Sequence, residues 1–328
     1  MAMIFMDGFD YYSATQMTRK WTAVSGPVLQ TGVYGNGKAM AFNSASVNLP
    51  ANYATGLIGF HIFVPSAFTA QTLWQFKDAG TIQVDLRIDA TGALFFTRNG
   101  TVLGSPSSNR LAANTWYWLE VKVTINSSTG AAEVRVNGTS WLALSAQNTQ
   151  TSASAFFNQI GNAVGTGAWF WDSFHFWDTT GSLNNTWIGE HAISTLFPNG
   201  AGSHTDWTKS GGAANFSQVN ENPADDDTSY NFSNTAGQID SYAMADLVQT
   251  AGTIAAVAIN TVDRVDDASP HVIHHYYLSS GVAAESPDIS PSSGYANHQS
   301  IRETDPNTSA AWTIAGVNAM EAGVKLIS

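Results

Sequence analysis

A hydrolytic cleft needs two carboxyls about 5–10 Å apart across the scissile bond, so the acidic residues are the first to test for chemistry. In the N-terminal half most of them fall at outward strand positions or in turns, as Asp85, Asp89, Glu120 and Glu133 do. Asp172 is the exception. In the run Trp169–Asp178 (WFWDSFHFWD) it shares parity with Phe170, Phe174 and Phe176, and a carboxyl buried among aromatics has a raised pKa and can act as an acid. The competing reading is a carboxylate hydrogen-bonded to a neighbouring loop at the end of a sheet.

The densest acidic cluster is Asp225, Asp226 and Asp227 beside Asn222 and Thr228, a set of oxygen donors of the kind calcium takes. The spaced Asp-x-Asp-x-Asp-Gly pattern of a calcium loop is absent, so a structural calcium ion stands against a solvated turn or a helix cap. The same alternatives apply to Asp263, Asp266 and Asp267, and no other cofactor is expected. His271, His274 and His275 fall on one predicted strand, where His271 and His275 share a face about 13 Å apart, too far to hold one zinc ion. Packing with Tyr276 and Tyr277 at an edge or inter-subunit surface is expected of them instead. There is no cysteine and no G-x-S-x-G elbow, and Gly32–Gly37 (GVYGNG) lacks the Lys-Ser/Thr of a phosphate loop. The expectation is a chain that is not an enzyme.

Aromatic residues offer a different chemistry. Eight of the 11 Trp lie in the first 180 residues. Trp116 and Trp118 share parity with Glu120 and Lys122, which points them away from the core, and Trp169, Trp171 and Trp177 alternate against Phe170, Phe174 and Phe176. Exposed aromatic patches mark interfaces or ligand platforms. Trp116, Trp118, Trp169 and Trp171 are therefore the candidate ligand or interface residues, for sugar stacking or for burial against a neighbouring subunit.

The elements that would carry these residues are strands. Gln83–Asp89 puts Val84, Leu86 and Ile88 on one face and polar residues on the other, and Trp116–Ile125 turns Tyr117, Leu119, Val121, Val123 and Ile125 inward. Gly56–Val64, Thr72–Lys77, Ala93–Arg98 and Glu133–Asn137 continue the series, with Gly100, Gly130 and Gly138 at turns. Strands at short intervals with no long amphipathic helix predict a sandwich or jelly roll. The turn-rich stretch Thr179–Asn185 predicts a boundary, with domains over 1–180 and 187–328. In the second domain Gly252–Thr261, Pro270–Leu278, Tyr295–Glu303 and Trp312–Leu326 are the predicted strands.

The formal net charge is -12; residues 1–180 hold 9 Lys+Arg and 9 Asp+Glu, and residues 181–328 hold 4 and 16. So acidic a second half repels phosphate backbones, which argues against nucleic acid as a partner. No stretch reaches the roughly 18 apolar residues of a membrane helix, so no membrane insertion is expected. Met1–Tyr12 has no basic segment followed by a long apolar run, so synthesis in the cytoplasm is the expectation.

Asp7-Gly8-Phe9, the WYWLEVKV strand, the V-x-V-N-G hairpin at Val134–Gly138 and Trp171-Asp172-Ser173-Phe174, in this order, resemble the concanavalin A-like lectin and laminin-G superfamily. The resemblance implies an N-terminal jelly-roll sandwich of two antiparallel sheets. The Asp and Asn ligand cluster of the family's metal-dependent sugar sites has no counterpart here. Further on, Ile188-Gly189-Glu190, Leu196–Gly200, His204–Thr208, Pro223–Tyr230, Glu303–Pro306, Ala311–Thr313 and Val317–Ala319 resemble structural proteins of tailed-phage virions over about 187–326.

The expectations are thus an all-β chain with a concanavalin A-like jelly roll and a C-terminal β-sandwich, in a virion structural protein of the tail-fibre or capsid-decoration type. Its partners would be other virion proteins, copies of itself in a homotrimer, and host-surface carbohydrate. The alternatives are a glycan-binding receptor module and, last, a polysaccharide depolymerase.

Overall fold

A computed structural model of the chain describes residues 2–35, 37–41, 43–162, 169–212 and 214–328. The chain is all-β in class, and every strand pairing within its sheets is antiparallel. It divides into two compact units at Ile193/Ser194. The segment 181–193 therefore belongs to the first unit, and the sequence boundary at 180–187 lies a few residues too early.

The first unit is a sandwich. One sheet runs in the order Thr139–Gln147, Gly130–Val136, Thr115–Thr124, Thr55–Val64, Phe170–Trp177, Lys38–Ala41, Val28–Thr31, with Met3–Asp7 also pairing with Phe170–Trp177. The other runs Thr101–Leu103, Leu94–Arg98, Thr81–Ile88, Gln71–Asp78, Phe157–Asn162, Ser44–Tyr53, Ala23–Ser25. The inward residues of the two alternating strands read from sequence are in the core: Val84, Leu86 and Ile88 from one sheet, Leu119, Val121 and Val123 from the other. Removing each such side chain from water contributes about 1.5–3 kcal/mol, which is what makes these two sheets stack.

Between the sheets sits a knot of rings. Trp74 stacks on Phe174 at 4.5 Å between centroids and meets Trp171 edge-on at 5.3 Å, while Phe60 lies 5.4 Å from Trp171. Trp171 is thus a core residue, fully buried, and Trp169 is 3% exposed against Phe68. Both are corrections to the platform expected from sequence. The physical reason is a bulge in the strand Phe170–Trp177: its register to the strand Thr55–Val64 shifts between Asp172 and His175, with Ser173 at φ 51°. An inserted residue flips the parity of all that follows, so Trp171 and Phe174 both face inward while Asp172 and His175 both face out.

The hairpin turn that joins Gly130–Val136 to Thr139–Gln147 is the one read from V-x-V-N-G. Asn137 at φ 48° and Gly138 at φ 78° supply the two left-handed residues that a tight antiparallel connection needs.

The second unit also layers strands. A five-stranded sheet has the order Pro198–Thr205, Ile239–Met244, Glu321–Leu326, Ile273–Ser279, Val282–Glu285. The ladder of Val257–Asp263 with Ala296–Arg302 packs on it through Ile259 and Tyr277, which share a core with Trp312, Val317 and Met320. Trp312–Leu326 is not one strand as predicted: Thr313 Oγ1 accepts from Gly316 N at 3.0 Å and starts a helical turn, Ile314–Asn318, before the strand Glu321–Leu326. That run lacks a two-residue alternation, and a Thr cap favours the helix. Ile273–Ser279 lies inside the sheet, so its histidines are not at an edge, again unlike the expectation. Among the described residues no helix is long and apolar enough to cross a membrane.

Gly323 pairs with Ser241 at the centre of this sheet, where an added Cβ would lie 2.2 Å from Asp240 O and 2.7 Å from Ser241 Cα. Those are backbone atoms of a paired strand and cannot give way. Gly323→Ala is expected to destabilise the second unit by about 1–3 kcal/mol through overpacking, read as a lower urea midpoint for that unit. An unchanged midpoint would show that the ladder is looser than this geometry allows.

Candidate functional site

The outward side chains of three neighbouring strands, Thr115–Thr124, Thr55–Val64 and Phe170–Trp177, form a grid. Cross-strand pairing sets four rows: Trp116–Phe63–Phe170, Trp118–His61–Asp172, Glu120–Gly59–His175, and Lys122–Leu57–Trp177. Consecutive rows are about 7 Å apart, because side chains on one face recur every second residue.

The first row is aromatic and open. Trp116 and Phe170 flank Phe63 with ring centroids at 5.5 and 5.8 Å, and all three side chains are partly exposed. Trp116 is thus the one candidate tryptophan of the sequence reading whose side chain is partly exposed. Its companions Phe63 and Phe170 were not singled out there. Phe63 sits in an apolar run with no readable parity, and the bulge hides which way the last strand faces.

The second and third rows are closed over. Trp118 faces outward as expected but is only 1% exposed, because its indole lies down over Gly59, where a Cβ would come within 2.7 Å of Trp118 Cζ2. It rests between the rings of His61 at 4.9 Å and His175 at 5.9 Å. The segment 186–193 then crosses above. Thr186 O accepts from Trp177 Nε1 at 2.9 Å, and Ile188 N and Gly189 N both donate to Glu120 Oε1 at 2.9 and 3.0 Å. Trp187 lies under the Arg135 guanidinium at 4.1 Å, and Ile193 N donates to Ser173 Oγ at 3.2 Å. Glu120, an outward carboxylate in the sequence reading, is therefore buried, at 1% exposure.

At the rim of this roof a polar group collects. The Tyr34 hydroxyl donates to Glu190 Oε1 at 3.0 Å, and that oxygen lies 3.1 Å from His61 Nε2. Asp172 Oδ2 accepts from Val33 N at 2.9 Å and so ties down the loop 32–37 that carries Tyr34; Asn36 of that loop lies outside the described residues. Burial pushes the Asp172 carboxyl up to about 6, against the lowering effect of the Val33 N–H. Of the two sequence readings of Asp172, the geometry shows the carboxylate bonded to a neighbouring loop. The hydrogen bond from His61 holds Glu190 below the usual carboxylate range, and burial lowers His61 itself.

The remaining candidates are dispersed. Asp225 accepts from Ser229 N and Oγ within its own turn, whereas Asp227 reaches out to Arg264 at 2.8 Å and Tyr295 at 2.8 Å. The calcium cluster Asp225, Asp226, Asp227 is corrected accordingly: adjacent side chains on a turn point to different partners, and among the described residues no three or more His, Asp or Glu are placed to hold one metal ion. His271 meets Asp267 at 3.2 Å, His274 sits between Glu285 and Asp288, and His275 is buried on the other face, bonded to Ser300 and Thr261. Thr261 in turn donates to Asp263, which His298 also meets, so these residues form one hydrogen-bonded chain across two layers.

No protein-family model and no curated protein matches the chain. Among solved structures it is similar to the alginate lyase Aly36B, at 15% identity over 46% of this chain and 78% of that one, with a TM-score of 0.30. It is also similar to the Caenorhabditis elegans galectin LEC-6, at 14% identity, 41% and 95% coverage and TM-score 0.30. A third is domain 4 of AbnA, a GH43 extracellular arabinanase from Geobacillus stearothermophilus, in complex with arabinotriose: 12% identity, 47% and 76% coverage, TM-score 0.31. Likeness at this level fixes no family or activity for the chain. It does correct the expectation of a non-enzyme: proteins named as a lyase and an arabinanase are among the matches, so a sandwich without a motif of nucleophilic catalysis is no ground for excluding catalysis.

His175 offers a direct check of the closed rows. Burial, with repulsion from His191 and His61, brings it down to about 3 from an ordinary 6.5, so the unfolded chain takes up its proton first as pH falls. Stability is then full above pH 6.5 and declines below it, by about 2 kcal/mol at pH 5 from this residue. Thermal unfolding of the first unit should show His175→Gln to be less sensitive to a change from pH 7 to 5 than the natural chain; equal sensitivity would mean that the imidazole is wet.

Proposed function

We propose that the first unit is a glycan-binding module carried by a structural protein of a tailed-phage particle, which presents it to host-surface carbohydrate. The observation that carries the reading is the open row Trp116–Phe63–Phe170. Three rings side by side on a rigid sheet offer apolar faces to the C–H surface of a sugar, and strands hold such a ledge more accurately than loops do. Tyr34, which is 52% exposed, and the carboxyl of Asp172 lie along the neighbouring row, where hydroxyl partners are needed. A surface of this make-up is neutral to acidic and favours an uncharged glycan over a uronate or sialate.

The virion setting rests on the phrases of the second half that resemble phage structural proteins. The second unit adds an exposed aromatic pair, Tyr230 at 39% and Phe232 at 48% with centroids 5.9 Å apart, as expected of a contact to another virion protein or a second and third copy of the chain.

A glycan array with the purified chain tests the binding role. Trp116→Ala is expected to weaken retention of the wild-type ligands about tenfold, or 1.4 kcal/mol. A wild-type chain that retains no glycan, or a variant that binds as well, would sink the reading. Mass spectrometry of purified particles checks the setting separately, since absence of the chain removes the virion and leaves the module.

A further inference from the structure

The row next to the open ledge is built like a binding surface yet covered by the chain itself. Beneath the segment 186–193 the Trp118 indole lies flat, flanked by two imidazoles, with the Glu120 carboxylate further along the same strand. Trp118 Nε1 and His61 Nδ1 are both buried and have no hydrogen-bond partner, though Trp118 is 1% and His61 2% exposed. A buried polar atom without a partner costs about 1–3 kcal/mol, so two of them at one spot are an unfilled demand for hydrogen bonds.

The cover is held by polar contacts. Its grip on the sheet consists of the two amides on Glu120, the Glu190 carboxylate on His61 and Tyr34, the Arg135–Trp187 contact, and the amide of Ile193 on Ser173. No residue from 181 to 193 is buried, and none belongs to a helix or strand. At its far end Ile193 Cγ2 approaches Gly8 so closely that a Cβ there would lie 2.9 Å away, so that end is packed against the residues that follow Met3–Asp7. Glu190 itself has a side chain 53% exposed, and its contact with His61 is open to water on one side. A hydrogen bond so open to solvent contributes about 1 kcal/mol net.

We propose that residues 186–193 are a displaceable strap over a second sugar subsite, formed by Trp118, His61 and Asp172, which takes the next residue of an uncharged glycan chain already seated on Trp116, Phe63 and Phe170. The Glu190 carboxylate serves as the internal stand-in for that sugar, its oxygen placed where a ligand hydroxyl would meet Tyr34 and His61. Adjacent rows separated by about 7 Å suit consecutive units of one chain. Opening the strap lets ligand hydroxyls reach Trp118 Nε1 and His61 Nδ1. The inference rests on the glycan reading of the open ledge and adds to it a dependence on chain length.

The test compares the natural chain with Glu190→Ala, a substitution at an exposed side chain. Calorimetric titration uses glucose, xylose and mannose, and the hexasaccharides of cellulose, xylan, mannan and starch, as probes. Affinity for the single sugars should be the same in both proteins, because the open row is untouched; hexasaccharide affinity should rise about tenfold in the variant. Hydrogen exchange without ligand provides the second measurement: the Ile188 and Gly189 amides should exchange at least a hundredfold faster than those of Leu119 and Val121 in the strand below, and faster still in Glu120→Ala. If neither protein binds any probe, the glycan reading fails and this inference with it. If the natural chain binds but the variant shows no gain that depends on length, or if the two amides are as protected as the core strand, the strap inference alone is overturned.

Discussion

Ser173 sits in the left-handed region with one residue too many in its strand, and the layout of both faces of the sheet follows from that insertion. With a strict two-residue period, Trp171 would share a face with His175 and Trp177. The bulge instead sends Trp171 and Phe174 inward, where Trp74 packs against both, and leaves Asp172 and His175 on the outer face beside His61. The Ser173 hydroxyl, freed by the kink, bonds Asp172 and receives the amide of Ile193. Core packing, the polar rim and the attachment of the segment above are thus coupled through a single backbone irregularity.

Much of the outer face illustrates how a polar residue can point away from the core and still be dry. Glu120 is satisfied by two amides of the covering segment, and Asp85, on the opposite sheet, is bonded by Thr97, Thr72 and Arg87. Gln83 is fully buried under the loop 151–156, bonding Thr151, Ser152, Ser154 and Phe156. In the second unit Asp240 plays the same part with Asn215, Asn231 and Tyr242, and burial raises its pKa. Each is a carboxyl or amide withdrawn from water and supplied with partners, which makes these positions specific rather than stabilising.

The sequence was readable where one face of a strand was wet and the other dry. Gln83–Asp89 and Trp116–Ile125 alternate cleanly, and their inward residues are core residues. The hairpin at Asn137-Gly138 was equally plain, since two left-handed residues in a row have few other uses. Legibility failed where a second layer lay on the outer face. Nothing in the order of residues tells that 186–193 covers Trp118, because its contacts are made by backbone amides, which every residue carries. Phe63 and Phe170 were hidden for different reasons, an unbroken apolar run and a bulge. The acidic triplet Asp225–Asp227 misled because neighbours in a turn diverge, and composition does not register direction.

The Asn137-Gly138 turn has a chemical side as well as a conformational one. An Asn followed by Gly is the dipeptide most exposed to spontaneous deamidation, in which the following backbone nitrogen attacks the side-chain carbonyl and closes a succinimide. Here the Asn137 side-chain oxygen accepts the amide of Trp118 at 2.9 Å, and the Asn137 amide donates back to the Trp118 carbonyl at 2.8 Å. The pair that fixes the register of the hairpin thus also engages the side-chain carbonyl that succinimide closure must use, so at this one of the chain's four Asn-Gly steps the hairpin geometry itself opposes ageing.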